Sequence, residues 1–193
     1  VSGSESFLGR QLHAGQYRAA APFAGQRVVV VGAGNSAVQI AVELADTAVV
    51  TLATRARPRL VPQRPFGLDM HFWYARTGLD TAPVGPWLPR RPNAPVFDDG
   101  RYRAALGSRC PDRRKMFVRM DGDAVVWADG TVERIDAIVW ATGYRPDVSC
   151  LTGLGVLDTK GVPRHRNGTS TSREGLGYVG LEWQRSLSSA TLR

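Results

Sequence analysis

Residues 27 to 46 read RVVVVGAGNSAVQIAVELAD, and no other stretch restricts the fold as much. Four consecutive valines show no alternation of apolar and polar positions, which is the pattern of a strand covered on both faces inside a parallel sheet. From Asn35 to Asp46, Val38, Ala41, Val42 and Ala45 recur at i, i+3, i+4 and i+7, and Ile40 and Leu44 add a second stripe. This predicts a mostly buried helix. Ala48 to Thr54, AVVTLAT, predicts the next strand. A strand, helix and strand in such close succession require a right-handed crossover and parallel strands.

The turn between strand and helix, GAGNSA, has the residue types that a dinucleotide needs. Gly32 permits a tight strand-to-turn conformation, and Gly34 lets the backbone approach a pyrophosphate without a Cβ in the way. Ala37, in the third position, is small enough for close helix packing. The amides of Asn35 and Ser36 open the helix, at the positive end of its dipole. A glycine turn alone is a weak signal, but here a buried strand precedes it and a buried helix follows, the context the motif requires.

The end of the second strand selects the nucleotide, because that position adjoins the adenosine ribose. An NAD site would place Asp or Glu there for the 2′-hydroxyl. This chain has Thr54-Arg55-Ala56-Arg57 instead. Arg55, and after it Arg57, suits a 2′-phosphate through charge-assisted pairing, so the sequence favours NADPH over NADH. The alternative is that both arginines decorate a solvated loop.

Elsewhere the patterns are coarser. Residues 1–26 read as an irregular approach to the first strand, and 56–64 as a loop. GLDMHFWYARTG from Gly67 predicts a short helix, with Phe72, Trp73 and Tyr74 as its core sooner than as a pocket lining. Pro83, Pro86, Pro89, Pro92 and Pro95 fall at every third position, which suits a polyproline II ribbon serving as a surface connection or lid. From Lys115, apolar runs separated by Asp121-Gly122 and Asp129-Gly130 predict a three-stranded antiparallel meander. Ala137 to Ala141 reads as another fully buried strand, and Gly177 to Leu181 as a last short one.

The length of 193 residues suits one domain plus an appendage. With 43% hydrophobic and 22% charged residues, the chain has a soluble globular composition, and no run approaches the roughly 18 to 20 apolar residues of a membrane span. The net charge of +8 is almost wholly arginine, the only lysines being Lys115 and Lys160. Those arginines are scattered, without the basic stripe or interleaved stacking aromatics of a nucleic-acid binder. Cys110 and Cys150 form no CxxC and no zinc-like cluster, so no metal site is expected and a reducing, cytoplasmic setting is. No Ser-His-Asp set or paired-carboxylate site emerges. The opening VSGSESFLG lacks a starting Met, a basic n-region and an apolar h-region, as an internal piece of a longer protein would.

Three separated motifs resemble those of the flavin-containing monooxygenases and their NAD(P)H- and FAD-dependent relatives. Phe7-Leu8-Gly9-Arg10-Gln11-Leu12-His13-Ala14-Gly15-Gln16-Tyr17 is similar to the fingerprint FxGxxxHxxx(F/Y/W). GAGNSA resembles the second of that family's two dinucleotide turns, and Ala141-Thr142-Gly143-Tyr144 resembles its ATG(Y/F) segment. The tail GLGYVGLEWQRSLSSATLR resembles the returning FAD segment of bacterial members. The first GxGxxG of the family, which binds FAD, does not occur in this sequence.

The resemblance implies an α/β fold: a Rossmann-like NADPH-binding domain, with a parallel sheet and an antiparallel meander, plus fragments of an FAD-binding domain. It divides the chain into an interdomain linker at 1–26, a nucleotide domain at 27–141 and a partial FAD segment at 142–193. It implies NADPH held by Gly32, Gly34, Asn35, Ser36, Ala37, Arg55 and Arg57, with Thr142 and Gly143 either at that site or serving the domain crossing alone. FAD is implied too, its site mostly outside this sequence. Phe7, Gly9, His13 and Tyr17 carry the family motif, and they either fix the linker or take part in the chemistry. The implied activity is reduction of FAD by NADPH, after which the flavin activates oxygen to oxygenate a small-molecule substrate. A reductase of the thioredoxin reductase kind, which would need a redox cysteine pair, and a non-catalytic NADPH-binding module are the rival readings.

Overall fold

The computed structural model describes residues 1–87 and 95–186. Its strands are β1 (Arg10–His13), β2 (Arg27–Val31), β3 (Val49–Thr54), β4 (Leu60–Pro62), β5 (Val96–Asp98), β6 (Asp112–Lys115), β7 (Arg119–Asp121), β8 (Ala124–Val126), β9 (Val132–Arg134), β10 (Ala137–Trp140), β11 (His165–Arg166) and β12 (Thr169–Ser170). The helices are α1 (Asn35–Leu44), α2 (Met70–Thr77) and α3 (Arg101–Gly107). Contacts gather the chain into two compact units: Val1–Gln63 with Pro92–Gly143, and Arg64–Arg91 with Tyr144–Arg193. Both units are discontinuous, where the sequence reading placed its divisions consecutively.

The first unit is built on a parallel sheet in the order β1-β10-β2-β3-β6. The valine run explains itself here. Val28 and Val30 enter one core with Leu12, Val38, Ala41, Leu52 and Val139, on the face that carries α1. Val29 and Val31 enter the other, with Phe7, Phe117, Trp127 and Ile138. Because both faces are covered, every residue from Val28 to Val31 is buried, and alternation has no physical cause.

The expected strand, helix and strand of residues 27–54 are all present and parallel. The predicted meander is β7-β8-β9, antiparallel throughout. Its side chains contribute Trp127 to the second core, and Glu133 ties them to the main sheet. The Glu133 carboxylate accepts from Arg27 Nη2 (2.8 Å), Trp127 Nε1 (2.9 Å) and Arg114 Nη1 (3.3 Å). The Arg114 guanidinium also lies 4.2 Å from the Trp127 ring centroid, a cation–π contact.

Other expectations are corrected. The irregular approach at 1–26 contains β1, which pairs with β10 at the edge of the sheet. Asp112–Lys115 forms β6 although DRRK has no apolar residue, since an edge strand needs few. The 56–64 loop contains β4, paired in parallel with β5. Helix α2 forms, capped by the Asp69 carboxylate, yet none of its residues is buried and Phe72 is 48% exposed. Its aromatic residues are therefore not a helix core; Trp73 instead touches Phe66 and Phe72 edge-on and donates to the Pro65 carbonyl. Gly177–Leu181 forms no strand: Gly177 makes one isolated bridge to Thr169, and Val179 is 98% exposed. Pro89 and Pro92 lie outside the described residues, and with them the polyproline ribbon as a whole. Gly85–Trp87 is a 3-10 turn.

The second unit, described by itself, holds α2 and the β11-β12 hairpin. Among its described residues the apolar side chain that is fully enclosed is Val156. Turns and backbone hydrogen bonds do much of the remaining work, such as the Gly85 amide donating to Arg185 O at 2.9 Å. No helix among the described residues is long and apolar enough to cross a membrane.

Replacing Ile138, wholly enclosed in the centre of the sheet, by Ala should cost about 2–5 kcal/mol in urea denaturation. Val132→Ala on β9, where the side chain is 64% exposed, should stay within about 0.5 kcal/mol. Equal midpoints for the two variants would contradict the burial pattern.

Candidate functional site

All five strands of the main sheet run the same way, so their carboxyl ends share one edge. Open α/β sheets bind ligands at that edge, where the strand order reverses. From β2 the chain passes through α1 to β3 on one side, and it later returns as β10 on the other. The reversal therefore lies between β2 and β10. Gly32–Gly34 follows the first of these strands and Ala141–Gly143 the second.

The two glycines of the turn are there for different reasons. Gly32 has φ 146°, and a Cβ on it would lie 2.2 Å from the Ala141 carbonyl oxygen and 3.0 Å from the Ala37 Cβ. Its amide donates to Ala53 O (3.0 Å), and the Ala141 amide donates to Val31 O (2.8 Å). The protein's own packing thus forbids a side chain at Gly32, and it leaves no room for one larger than Ala37, which is wholly buried. Gly34 has an ordinary φ of −90°, and a Cβ there would meet nothing within 4 Å. Among the described residues nothing requires glycine at that point, and the space beside it is free of their atoms.

Helix α1 begins at that open space. Its N-cap is Gly34, with no side-chain cap and no acid in the first turn. The first intrahelical bond runs from Val38 N–H to Gly34 O at 3.1 Å, so the amides of Asn35, Ser36 and Ala37 have no helical acceptor. The Asn35 side chain is turned to Pro95 O, to which its Nδ2 donates at 3.3 Å. An uncapped, acid-free helix start beside a residue without a side chain can accept an anion at short range. These residues fit a pyrophosphate.

Arg55 and Arg57 are exposed just beyond Thr54, the buried last residue of β3. Neither makes an ion pair among the described residues. The sequence has no acid between Asp46 and Asp69 to neutralise them locally. Thr142 and Gly143 are exposed at the end of β10.

The family-motif residues build the edge of this sheet. Phe7 is buried in the core beneath it, and a Cβ on Gly9 would lie 2.6 Å from the Phe7 ring and 2.8 Å from Asp136 O. His13 ends β1 and joins two turns. Its Nδ1 accepts from Gly15 N–H (3.2 Å), which leaves the ring proton on Nε2, and Nε2 donates to the Gly143 carbonyl at 3.1 Å. Its own amide donates to Gln16 Oε1 (2.9 Å), closing a capping box. Tyr17 stacks on Phe23, and burial together with the neighbouring Glu43 carboxylate pushes its phenol above the usual range. The His13 to Gly143 bond, across 130 positions, was beyond sequence reasoning. The meander expected from Lys115 starts at Arg119 instead, and Lys115 is the exposed last residue of β6 in the main sheet.

Residues 1–65 match the family described as flavin-binding monooxygenase-like. The uncharacterized oxidoreductase CzcO of Bacillus subtilis is 31% identical over 187 residues, which are 95% of this chain and 53% of that protein. The N-oxide-forming dimethylaniline monooxygenase 2 of Oryctolagus cuniculus is 30% identical over 174 residues, covering 74% of this chain and 32% of the relative. Among solved structures, a double mutant of the flavin monooxygenase from Stenotrophomonas maltophilia superposes with a TM-score of 0.78 at 28% identity, over 98% of this chain and 52% of that one. The chain spans about half the length of the CzcO protein and of the Stenotrophomonas enzyme.

Gly32→Ala should cost several kcal/mol, about 3 or more, because backbone strain and a clash with a backbone carbonyl coincide. Gly34→Ala should change stability by less than about 0.5 kcal/mol. Urea denaturation of both variants checks this; a loss at Gly34 as large as that at Gly32 would contradict the geometry.

Proposed function

We propose, for a chain similar in sequence and fold to flavin-monooxygenase-like oxidoreductases, that it is the NADPH-binding portion of a flavin-dependent monooxygenase. The observation that carries this reading is the glycine turn. A Cβ at Gly34 would meet nothing within 4 Å, beside a helix start that no side chain caps and no acid of the first turn answers among the described residues. A nucleotide pyrophosphate is the group that uses both.

In this reading, the amides of Asn35 and Ser36 hold the pyrophosphate, Ala37 keeps α1 close against Gly32, and Arg55 with Arg57 binds the 2′-phosphate. Thr142 and Gly143 border the same crevice from β10, and His13 holds Gly143 in place through its carbonyl. NADPH and FAD, when bound, supply hydride transfer and oxygen activation; the residues of this chain bind, orient and discriminate. FAD would be held mainly by residues outside this sequence, since the other GxGxxG string, at 175–180, joins no strand to a helix among the described residues. The proposed substrate is a small molecule, and the free, exposed Cys110 and Cys150 suit a cytoplasmic setting.

Arg55→Ala should weaken NADPH binding by about 10- to 100-fold, the worth of hydrogen bonds to a charged group, and change NADH binding less than twofold. Gly34→Ala should weaken both nucleotides, because it blocks the pyrophosphate they share. Calorimetric titration of each variant reads the outcome. Equal losses for NADPH and NADH in Arg55→Ala would remove the 2′-phosphate assignment.

A further inference from the structure

Strand β6 lies next to β3, on the side away from β2. The register sets Lys115 opposite Thr54, and the Met116 amide donates to Thr54 O at 3.0 Å. Arg55 therefore starts one residue beyond that pair, on a strand separated from β6 by about 4.8 Å. Lys115 is exposed, whereas Arg114 before it is half-buried and committed to Glu133 and Asp129. Among the described residues no carboxylate pairs with Lys115, Arg55 or Arg57. The sheet thus brings three cations, unpaired among the described residues, to the carboxyl ends of two adjoining strands, the first of which neighbours β2 and its glycine turn.

We infer that Lys115 is a specificity-determining residue, a further cation facing the phosphomonoester that Arg55 receives. This rests on the NADPH reading and deepens it. A doubly charged phosphate has more acceptor positions than one guanidinium fork fills, and a lysine ammonium on a flexible stem can reach a remaining oxygen as a point charge. The competing role is purely structural. Edge strands carry lysines that discourage pairing with another sheet, and β6 is an edge strand. That role gives Lys115 no part in nucleotide choice.

The two roles separate with small probes. Adenosine 2′,5′-bisphosphate carries the 2′-phosphate, and adenosine 5′-monophosphate lacks it. Calorimetric titration of the chain, its Lys115→Ala, Lys115→Gln and Lys115→Arg variants, and Arg55→Ala would measure both. The expected result is roughly tenfold weaker bisphosphate binding in Lys115→Ala and Lys115→Gln, recovery in Lys115→Arg, and unchanged monophosphate binding in all three. Unchanged bisphosphate binding in the Ala and Gln variants, alongside a loss in Arg55→Ala, would overturn the role of Lys115 and leave the NADPH reading standing. Should the unsubstituted chain bind the bisphosphate no better than the monophosphate, the NADPH reading falls and Lys115 with it.

Discussion

The approach of Gly32 to the Ala141 carbonyl governs the whole first unit. At 2.2 Å from where a Cβ would stand, that oxygen allows β2 and β10 to end side by side only if the first residue after β2 has no side chain. This adjacency falls where the strand order reverses, the place at which open α/β sheets bind ligands. It also sets the depth at which α1 starts, because Ala37 packs against the same point. The ends of β2 and β10 and the start of α1 thus meet at one close contact between two backbones.

The arginines show how one residue type can serve two ends in a basic chain. Arg27 and Arg114 are spent on Glu133, within a partly buried network that includes Trp127 and binds the meander to the sheet. Such a network resists the loss of any one partner, since a charge left behind would be desolvated without compensation. Arg55 and Arg57 have no such partner among the described residues. Their charge is left to solvent and to whatever anion arrives, and the same guanidinium chemistry becomes available for recognition.

What could be read in the sequence was what is local. The β2-α1-β3 unit was legible because its periodicities arise from contacts within some thirty residues, and the meander because Asp-Gly pairs mark its turns. β1 and β6 were not, since RQLH and DRRK become strands only through pairing with distant partners. The aromatic run of α2 misled, because the second unit offers it no core to enter. At the candidate site, both glycines and their separate roles were identified, but not what Gly32 packs against, which needs the position of Ala141. His13 was identified by family likeness alone; its bond to Gly143 is a property of the folded chain.

The valine run carries a further implication. Since Val28 through Val31 are identical, their side chains cannot distinguish one register from the next, and a slip by one residue would exchange the two cores for near copies of themselves. What removes this degeneracy lies at the ends of β2. The Arg27 amide donates to the Asp136 carboxylate at 2.7 Å, its side chain donates to Glu133, and its carbonyl accepts from the Asp136 amide. Gly32 closes the other end. The strand is thus a uniform rod held at a fixed setting by its two terminal residues, and the glycine that opens the crevice is also the stop that indexes the sheet.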